Sequence, residues 1–447
     1  MISVVVLSAR QALRSRLVSA ALALLVFGML ALLRGAEGDG TPAGGLRVFL
    51  SWGAGLQALV LSLTALMLPL SFAGTLKRGE LTGLALTPTA RWQVLVGWWV
   101  GCALVLAGLA GFGQLLCFAG ARWRAFTAPE EARADLELLL QAQGSSFPPA
   151  PDRELIDAQM ERRLATLEAQ GQLPRELSRE DALDELVRRE LRQRRTAGPR
   201  KTLRWRLEGI EPRAGSADLP LQLRYRARVD APPGTPVPDA GVRGRFVLIP
   251  PGSSGYDGPP IRLRGQGELR TLKFPSDVLE GGTVLEVEFQ NLESYPVDVV
   301  FVGRGVQVLY PAGGFASNLL RAWAVLVGRL WFLAALGIAL CAALEGRLAV
   351  LVASGVLAIG SAHEFLRDAL RVNVYGSLDA PLKAAASGIL TALPNLGRDD
   401  LGGLLAAGVQ VTGASVASSC ADGLLRGGLC LAFGALVLTR RELGAIR

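Results

Sequence analysis

The sequence predicts an α-helical membrane protein of about six transmembrane helices, carrying an inserted extracytoplasmic domain that is first helical and then a β-sandwich. Three observations predict it. Half of the 447 residues are hydrophobic and only 19% are charged. No charged residue occurs from Val48 to Leu76 or from Trp92 to Ala121, and each run is longer than the ~20 apolar residues that cross a bilayer. Between residues 122 and 314 the chain turns polar, and its second half alternates apolar and polar side chains with the period of half-buried strands. These shifts divide the chain into 1–121 (an amphipathic N-terminal helix and spans one to three), 122–202 (helical part of the insertion), 203–314 (β-sandwich) and 315–447 (spans four to six).

Leu17 to Leu33, bracketed by Arg16 and Arg34, is the first span. It is no signal peptide, because Gly28-Met-Leu-Ala-Leu-Leu-Arg34 has no small-x-small cleavage site. The two charge-free runs are spans two and three. Leu330 to Leu344 and Leu348 to Ala362 flank Glu345-Gly346-Arg347 as a helical hairpin, and with Arg329 snorkelling the first of the pair begins near Ala322. The last span runs from Gly423 to Thr439 and closes on Arg440-Arg441. Before it, the Gly-rich run from Leu401 to Ala421 is a candidate seventh or re-entrant element capped by Asp399-Asp400. Cys102, Cys117, Cys341 and Cys430 fall inside spans and Cys420 beside one, as packing residues, so the polar domain has no internal disulfide.

Positive residues of short loops stay on the cytoplasmic side. Arg10, Arg14, Arg16, Lys77, Arg78, Arg91, Arg347, Arg440, Arg441 and Arg447 all share one side when both termini are cytoplasmic in a multi-pass cell-membrane protein. The insertion is then outside, together with the chain's most basic stretch, Val187 to Leu207; long loops translocate largely regardless of charge.

Within the insertion, Asp152 caps a helix that closes near Gly171, with Leu155, Ile156, Met160, Leu164 and Leu167 on roughly one face. A second helix starts at Ser178 with acids first and arginines last, matching the helix dipole. Pro-rich Ser145 to Pro151 is a turn or linker between these helices and one starting near Pro129. Leu221–Val229, Ile261–Arg264, Leu269–Phe274, Val284–Phe289 and Val297–Val302 alternate as strands, and seven or eight such runs make a sandwich. Trp205, Tyr225, Tyr256, Tyr295 and Tyr310 leave a ligand-binding sandwich and a structural one both open. The basic stretch invites a polyanion or lipid-headgroup reading, against which a solvated helix face is the preferred one, with no nucleic acid implied.

Chemistry is sparse. No G-x-x-x-x-G-K-[ST] loop occurs, so the chain carries no ATPase of this kind. There is one histidine, His363, and neither H-E-x-x-H nor C-x-x-C, so no metal, cofactor or nucleophilic site is expected and no enzyme activity. His363 and Glu364 end the fifth span, and Arg329 and Arg426 are placed at span ends too, where such residues reach interfacial water.

The informative segment is the loop between spans two and three, Thr75 to Gly97: a charged opening, a Leu-rich stub stopped at Thr87-Pro88, and an immediate return into the membrane. A rigid stub pinned between two spans can transmit a push from a soluble partner. Here the chain resembles the permeases of the type-2 ABC exporter class, at Gly79-Glu80-Leu81, Leu84, Leu86, Thr87-Pro88, Arg91 and Gly97, departing at Trp98 where that class has Lys. The amphipathic Leu7–Arg16, the Pro-Asn-Leu turn with its Gly-rich follower in 392–412, and the Arg-Arg-Glu-Leu finish are similar as well. The resemblance covers 1–121 and 315–447. It implies a separate ATP-binding cassette ATPase subunit docking near Gly79, Glu80, Thr87, Pro88, Arg91 and the N-terminal helix, a second permease chain, and surrounding membrane lipids. A membrane-anchored receptor or scaffold with an extracytoplasmic binding module is the alternative reading.

Overall fold

The computed structural model describes residues 1–70, 91–149, 151–170, 179–211, 219–232, 241–252, 255–264, 267–279, 283–372, 380–393, 395–397 and 400–440. The chain divides into two compact units, 1–142 with 314–447, and 143–313.

The first unit opens with α1 (Ile2–Leu13) and α2 (Arg16–Gly35), the latter N-capped by Ser15, whose side chain accepts the Val18 N–H. Next comes α3 (Pro42–Met67), capped by Thr41 on the Gly44 N–H and started by a proline in its first turn. A 37-residue helix, α4 (Arg91–Thr127), follows the 71–90 segment, and α5 (Glu130–Leu139) carries Glu130 and Glu131 in its first turn, as the helix dipole favours.

The inserted unit takes the chain through β1 (Gln141–Ser146), α6 (Arg153–Ala169), α7 (Arg179–Gln193), β2 (Thr196–Ala197), β3 (Thr202–Leu207), β4 (Leu221–Asp230) and β5 (Val242–Ile249). It continues with β6 (Tyr256–Asp257), β7 (Ile261–Leu263), β8 (Leu269–Phe274), β9 (Leu285–Asn291) and the long β10 (Asp298–Gly314). Asp152 accepts from the Glu154 and Leu155 N–H groups, so α6 starts where an N-cap is read from sequence. Ile156, Met160 and Leu164 are buried, the first two packing with Val187 of α7, whereas Leu155 is exposed.

The strands form two five-stranded sheets, one ordered β1-β10-β4-β8 with β2 on β10, the other β3-β9-β5-β6 with β7 on β5. They pack face to face through aromatic rings: Phe246 of β5 lies 4.8 Å from Tyr225 of β4, and Phe289 of β9 lies 5.0 Å from Phe301 of β10. The β4–β10 register breaks between Phe301 and Val306, where Gly303 and Gly305 have φ of 70° and 81°; the left-handed bulge needs residues without a Cβ. Ser145 and Ser146, read from sequence as a turn, belong to β1, which has no β-branched or aromatic residue and is ordered by its pairing with β10.

Five of the nine basic residues in the basic stretch have acidic partners nearby. Arg188 pairs with Asp184, Arg192 with Asp230 at 2.6 Å, Arg194 with Glu190, Arg204 with Glu288 across the β3–β9 register, and Arg206 with Glu208. The exposed pairs among these contribute only ~0–1 kcal/mol each, and they offset part of the charge that the run of arginines carries. Glu293, buried beneath β5, is pushed up by burial; the Arg243 backbone N–H and guanidinium outweigh that and hold its carboxyl below the usual carboxylate range.

The chain then returns to the first unit with α8 (Phe315–Ala343), α9 (Gly346–Ser361), α10 (His363–Val372), α11 (Ala380–Ala392), α12 (Leu401–Ala406) and α13 (Gly413–Arg440). Among the described residues five helices, α2, α3, α4, α8 and α13, are long and apolar enough to cross a membrane, and α9 with α10 makes a sixth candidate bent by 64° at Ala362. With these apolar helices and its inserted β unit, the chain is built as a multi-pass helical membrane protein.

Asp400 caps α12 on the Gly403 N–H. The Gly-rich run from Leu401 is thus a six-residue helix, a turn and the first turns of α13, not a separate span. The helices α8 and α13 begin earlier than hydropathy suggests, through the polar but helical Phe315–Arg321 and Gly413–Asp422, so Arg329 and Arg426 lie inside their helices and not at helix ends.

Candidate functional site

Polar groups inside an apolar helical unit are costly, so each must either hold the structure together or serve a ligand. Most here hold helices. Arg124, in the last turn of α4, donates to the α2 carbonyls of Ala36 (3.0 Å), Leu33 (2.7 Å) and Leu32 (3.5 Å). Carbonyls at a helix C-terminus are the ones that lack a full set of intrahelical partners, and the guanidinium also sits 5.8 Å over the Phe49 ring. Asn318 clamps the turn before α13 from both sides, donating to the Val409 carbonyl and accepting the Val411 N–H, while Arg321 reaches the Val411 carbonyl. Gln57 of α3 donates to the Gly113 carbonyl of α4, and Trp99 and Trp323 tie α4 to α8 through the carbonyls of Trp331 and Ala107.

Arg329 also interacts within the protein. It stands at the midpoint of α8, fourteen residues from Phe315 and fourteen from Ala343, about 21 Å from either end at 1.5 Å per residue. It lines a cavity of about 250 Å³ with Ser62 and Leu59 of α3, Leu333 of its own helix, and Leu357 and Ser361 of α9. The cavity lies at the bend of the broken span. There the Gly360 carbonyl accepts the Leu396 N–H, His363 donates from Nε2 to the Leu390 carbonyl at 2.9 Å, and Glu364 accepts from Asn395. His363 is buried at the bend, not exposed at an interface.

Of the residues singled out in the sequence for coupling, Gly79, Glu80, Thr87 and Pro88 lie outside the described residues, and Arg91 opens α4. What stands beside them is described. The helix α1 lies on the first turns of α4: a Cβ on Gly97 would be 2.8 Å from Val4 Cγ1, one on Gly101 would collide with Ser8 Oγ, and Ser8 donates to the Gly97 carbonyl at 3.2 Å. This close approach is the small-xxx-small packing that membrane helices use. Trp98, between the two glycines, is buried against Val4, Leu95 and Ile338 instead of facing lipid.

Among the described residues no group of three His, Cys, Asp or Glu side chains is placed to hold a metal ion. Compared with family models, curated proteins and solved structures, the chain finds no match in any of the three.

The Arg329 cavity was missed in the sequence because its walls come from residues 58–62, 326–333, 357–361 and 396, and only the fold brings them together. The signal available was a single arginine inside an apolar run, which the fold moves from a helix end to a helix centre.

Proposed function

We propose that the chain is the permease subunit of an ABC transporter of the type-2 exporter class, moving a substrate across the cell membrane by coupling to a separate ATPase subunit. In this reading both termini are cytoplasmic, the inserted unit is extracytoplasmic, and a second permease chain completes the path. The observation that carries it is the convergence of two elements on α4. The N-terminal helix, through Val4 and Ser8, packs on Gly97 and Gly101, and the Glu80 segment leads directly into the same helix at Arg91. A push delivered to either element therefore reaches one 37-residue helix, which Trp99 and Trp323 bond to α8.

The paired arginines of α7 and β3 favour a structural inserted unit over a polyanion receptor, and they ease its placement outside. Charge reversal tests the coupling assignment. With the chain and its ATPase subunit in liposomes, Glu80→Arg is expected to cut ATP turnover at least tenfold and to weaken co-purification, while leaving the permease folded. Unchanged turnover and co-purification would remove Glu80 from the mechanism.

A further inference from the structure

We infer that a cavity at the shared end of α2, α3 and α4 is a binding site for a phospholipid of net negative charge, its phosphate on Arg34 and its acyl chains along Leu30 and Phe27. The inference goes beyond the proposed function, since it concerns this chain alone, involves no ATPase and is independent of which side of the membrane this end faces.

The lining sets the ligand chemistry. The cavity has a volume of about 580 Å³ and is walled by Leu30, Leu33 and Arg34 of α2 and by Trp123, Arg124 and Thr127 of α4. That volume falls within the ~300–1,000 Å³ of ligand-holding cavities, and among the described residues no carboxylate lines it. Its two arginines have different roles. Arg124 is committed to the Ala36, Leu33 and Leu32 carbonyls, so it answers the partial negative charge of the α2 end, which otherwise repels an anion. Arg34, in the last turn of the same helix, is exposed and makes no hydrogen bond or ion pair among the described residues. Neither Glu37 nor Asp39 pairs with it, and Asp39 accepts from Thr41 instead. A free guanidinium offers a planar fork of donors that suits phosphate oxygens.

The position suits a lipid. Arg16 and Arg34 stand eighteen residues apart on one apolar helix, about 27 Å at 1.5 Å per residue, close to the ~30 Å hydrocarbon thickness of a bilayer. A span bracketed in this way sets Arg34 at the headgroup level. Trp123, 59% exposed where it lines the cavity, is the residue type that collects at that level. Phe27, Leu30 and Arg34 follow one another at i, i+3 and i+7 along one face of α2, and both apolar members are exposed, at 72% and 48%. An amphiphile held by its phosphate at Arg34 therefore lays its chains on that stripe. Two fixed positive charges and no lining carboxylate disfavour a headgroup that carries its own cation, which selects phosphatidylglycerol over phosphatidylcholine.

The test uses the full chain, purified in mild detergent, delipidated, and mixed with phosphatidylglycerol or phosphatidylcholine, with bound lipid counted by native mass spectrometry. Phosphatidylglycerol is expected to be retained at least tenfold over phosphatidylcholine. Arg34→Gln should abolish the preference, and Arg34→Lys should keep part of it, because the charge remains without the fork. Thr127→Trp fills the cavity with both arginines intact and should also abolish the preference. Arg122 lies at the same end of α4 but over the Phe118 ring, outside the cavity lining, so Arg122→Gln should change nothing. Equal retention of the two lipids by the unaltered chain overturns the proposal, as does a preference that survives Arg34→Gln or Thr127→Trp, or one that Arg122→Gln abolishes as well. So does glycerol phosphate competing as well as the intact lipid, since the site would then be one for a free anion.

Discussion

Gly423→Leu is expected to prevent recovery of the chain as a monodisperse species in mild detergent, while Gly428→Leu leaves it unchanged. The helices α8 and α13 meet through a G-x-x-x-G step, Gly423-Leu-Leu-Arg-Gly427, set against Gly328. A Cβ on Gly423 would collide with the Gly328 carbonyl oxygen, and one on Gly328 would lie 2.6 Å from the Ser419 carbonyl. Farther along, Gly427 faces the Ala335 methyl at 3.3 Å and Gly434 the Ala339 Cα at 3.1 Å. Backbone meets backbone at Gly423, so no side chain can swing away. Overpacking commonly costs ~1–3 kcal/mol when neighbours can yield, and here they cannot. Between membrane helices, packing and hydrogen bonds such as Ser419 to the Val325 carbonyl supply the association energy; separating the pair removes both. Gly428 has open space where its Cβ would be, which makes it the matched control. Size-exclusion profiles of the two variants decide, and a normal Gly423→Leu profile would contradict the packing described for α8 and α13.

Phe246→Ala should open the inserted unit without opening the helices. Phe246 is fully buried and touches the rings of Tyr225, Phe289 and Phe301 at centroid distances of 4.8, 5.0 and 6.1 Å. It therefore joins both sheets at one point. Removing a buried phenylalanine costs ~3–5 kcal/mol, and at ~1.4 kcal/mol per factor of ten that is about a hundredfold to a few thousandfold in the opening equilibrium. Hydrogen exchange of the β5 and β9 amides should accelerate by that factor, with the amides of α3 and α8 unmoved, since residues 143–313 form their own compact unit. Equal acceleration in both sets would mean that the two units do not unfold separately.

The spans were legible because lipid imposes a single strong rule, a long run without charge, and Val48–Leu76 and Trp92–Ala121 obey it plainly. Strands 221–230 and 269–274 were legible for a related reason, alternation over six or more residues. Helix ends were not. The first two turns of α8 hold Ser317, Asn318 and Arg321, which lower hydropathy without lowering helicity. Asn318 and Arg321 find partners only in the 409–411 turn, some ninety residues away. That displacement moved Arg329 from a helix end to a helix interior and hid the cavity. The bend at Ala362 was equally hidden, since its compensating contacts come from Leu390 and Leu396. Read locally, a buried histidine at a bend looks like a polar residue at an interface.

The coupling motif around Glu80 was readable only as a pattern, and the permease assignment rests on that pattern together with the seating of α1 on Gly97 and Gly101. The most direct test is to purify the chain from its native membrane in mild detergent and identify what accompanies it. An ATPase with a Walker motif, present in a fixed ratio and lost on Glu80→Arg, is the predicted result. A chain recovered without any such subunit, under conditions that keep it folded, would contradict the assignment and favour a membrane-anchored receptor or scaffold.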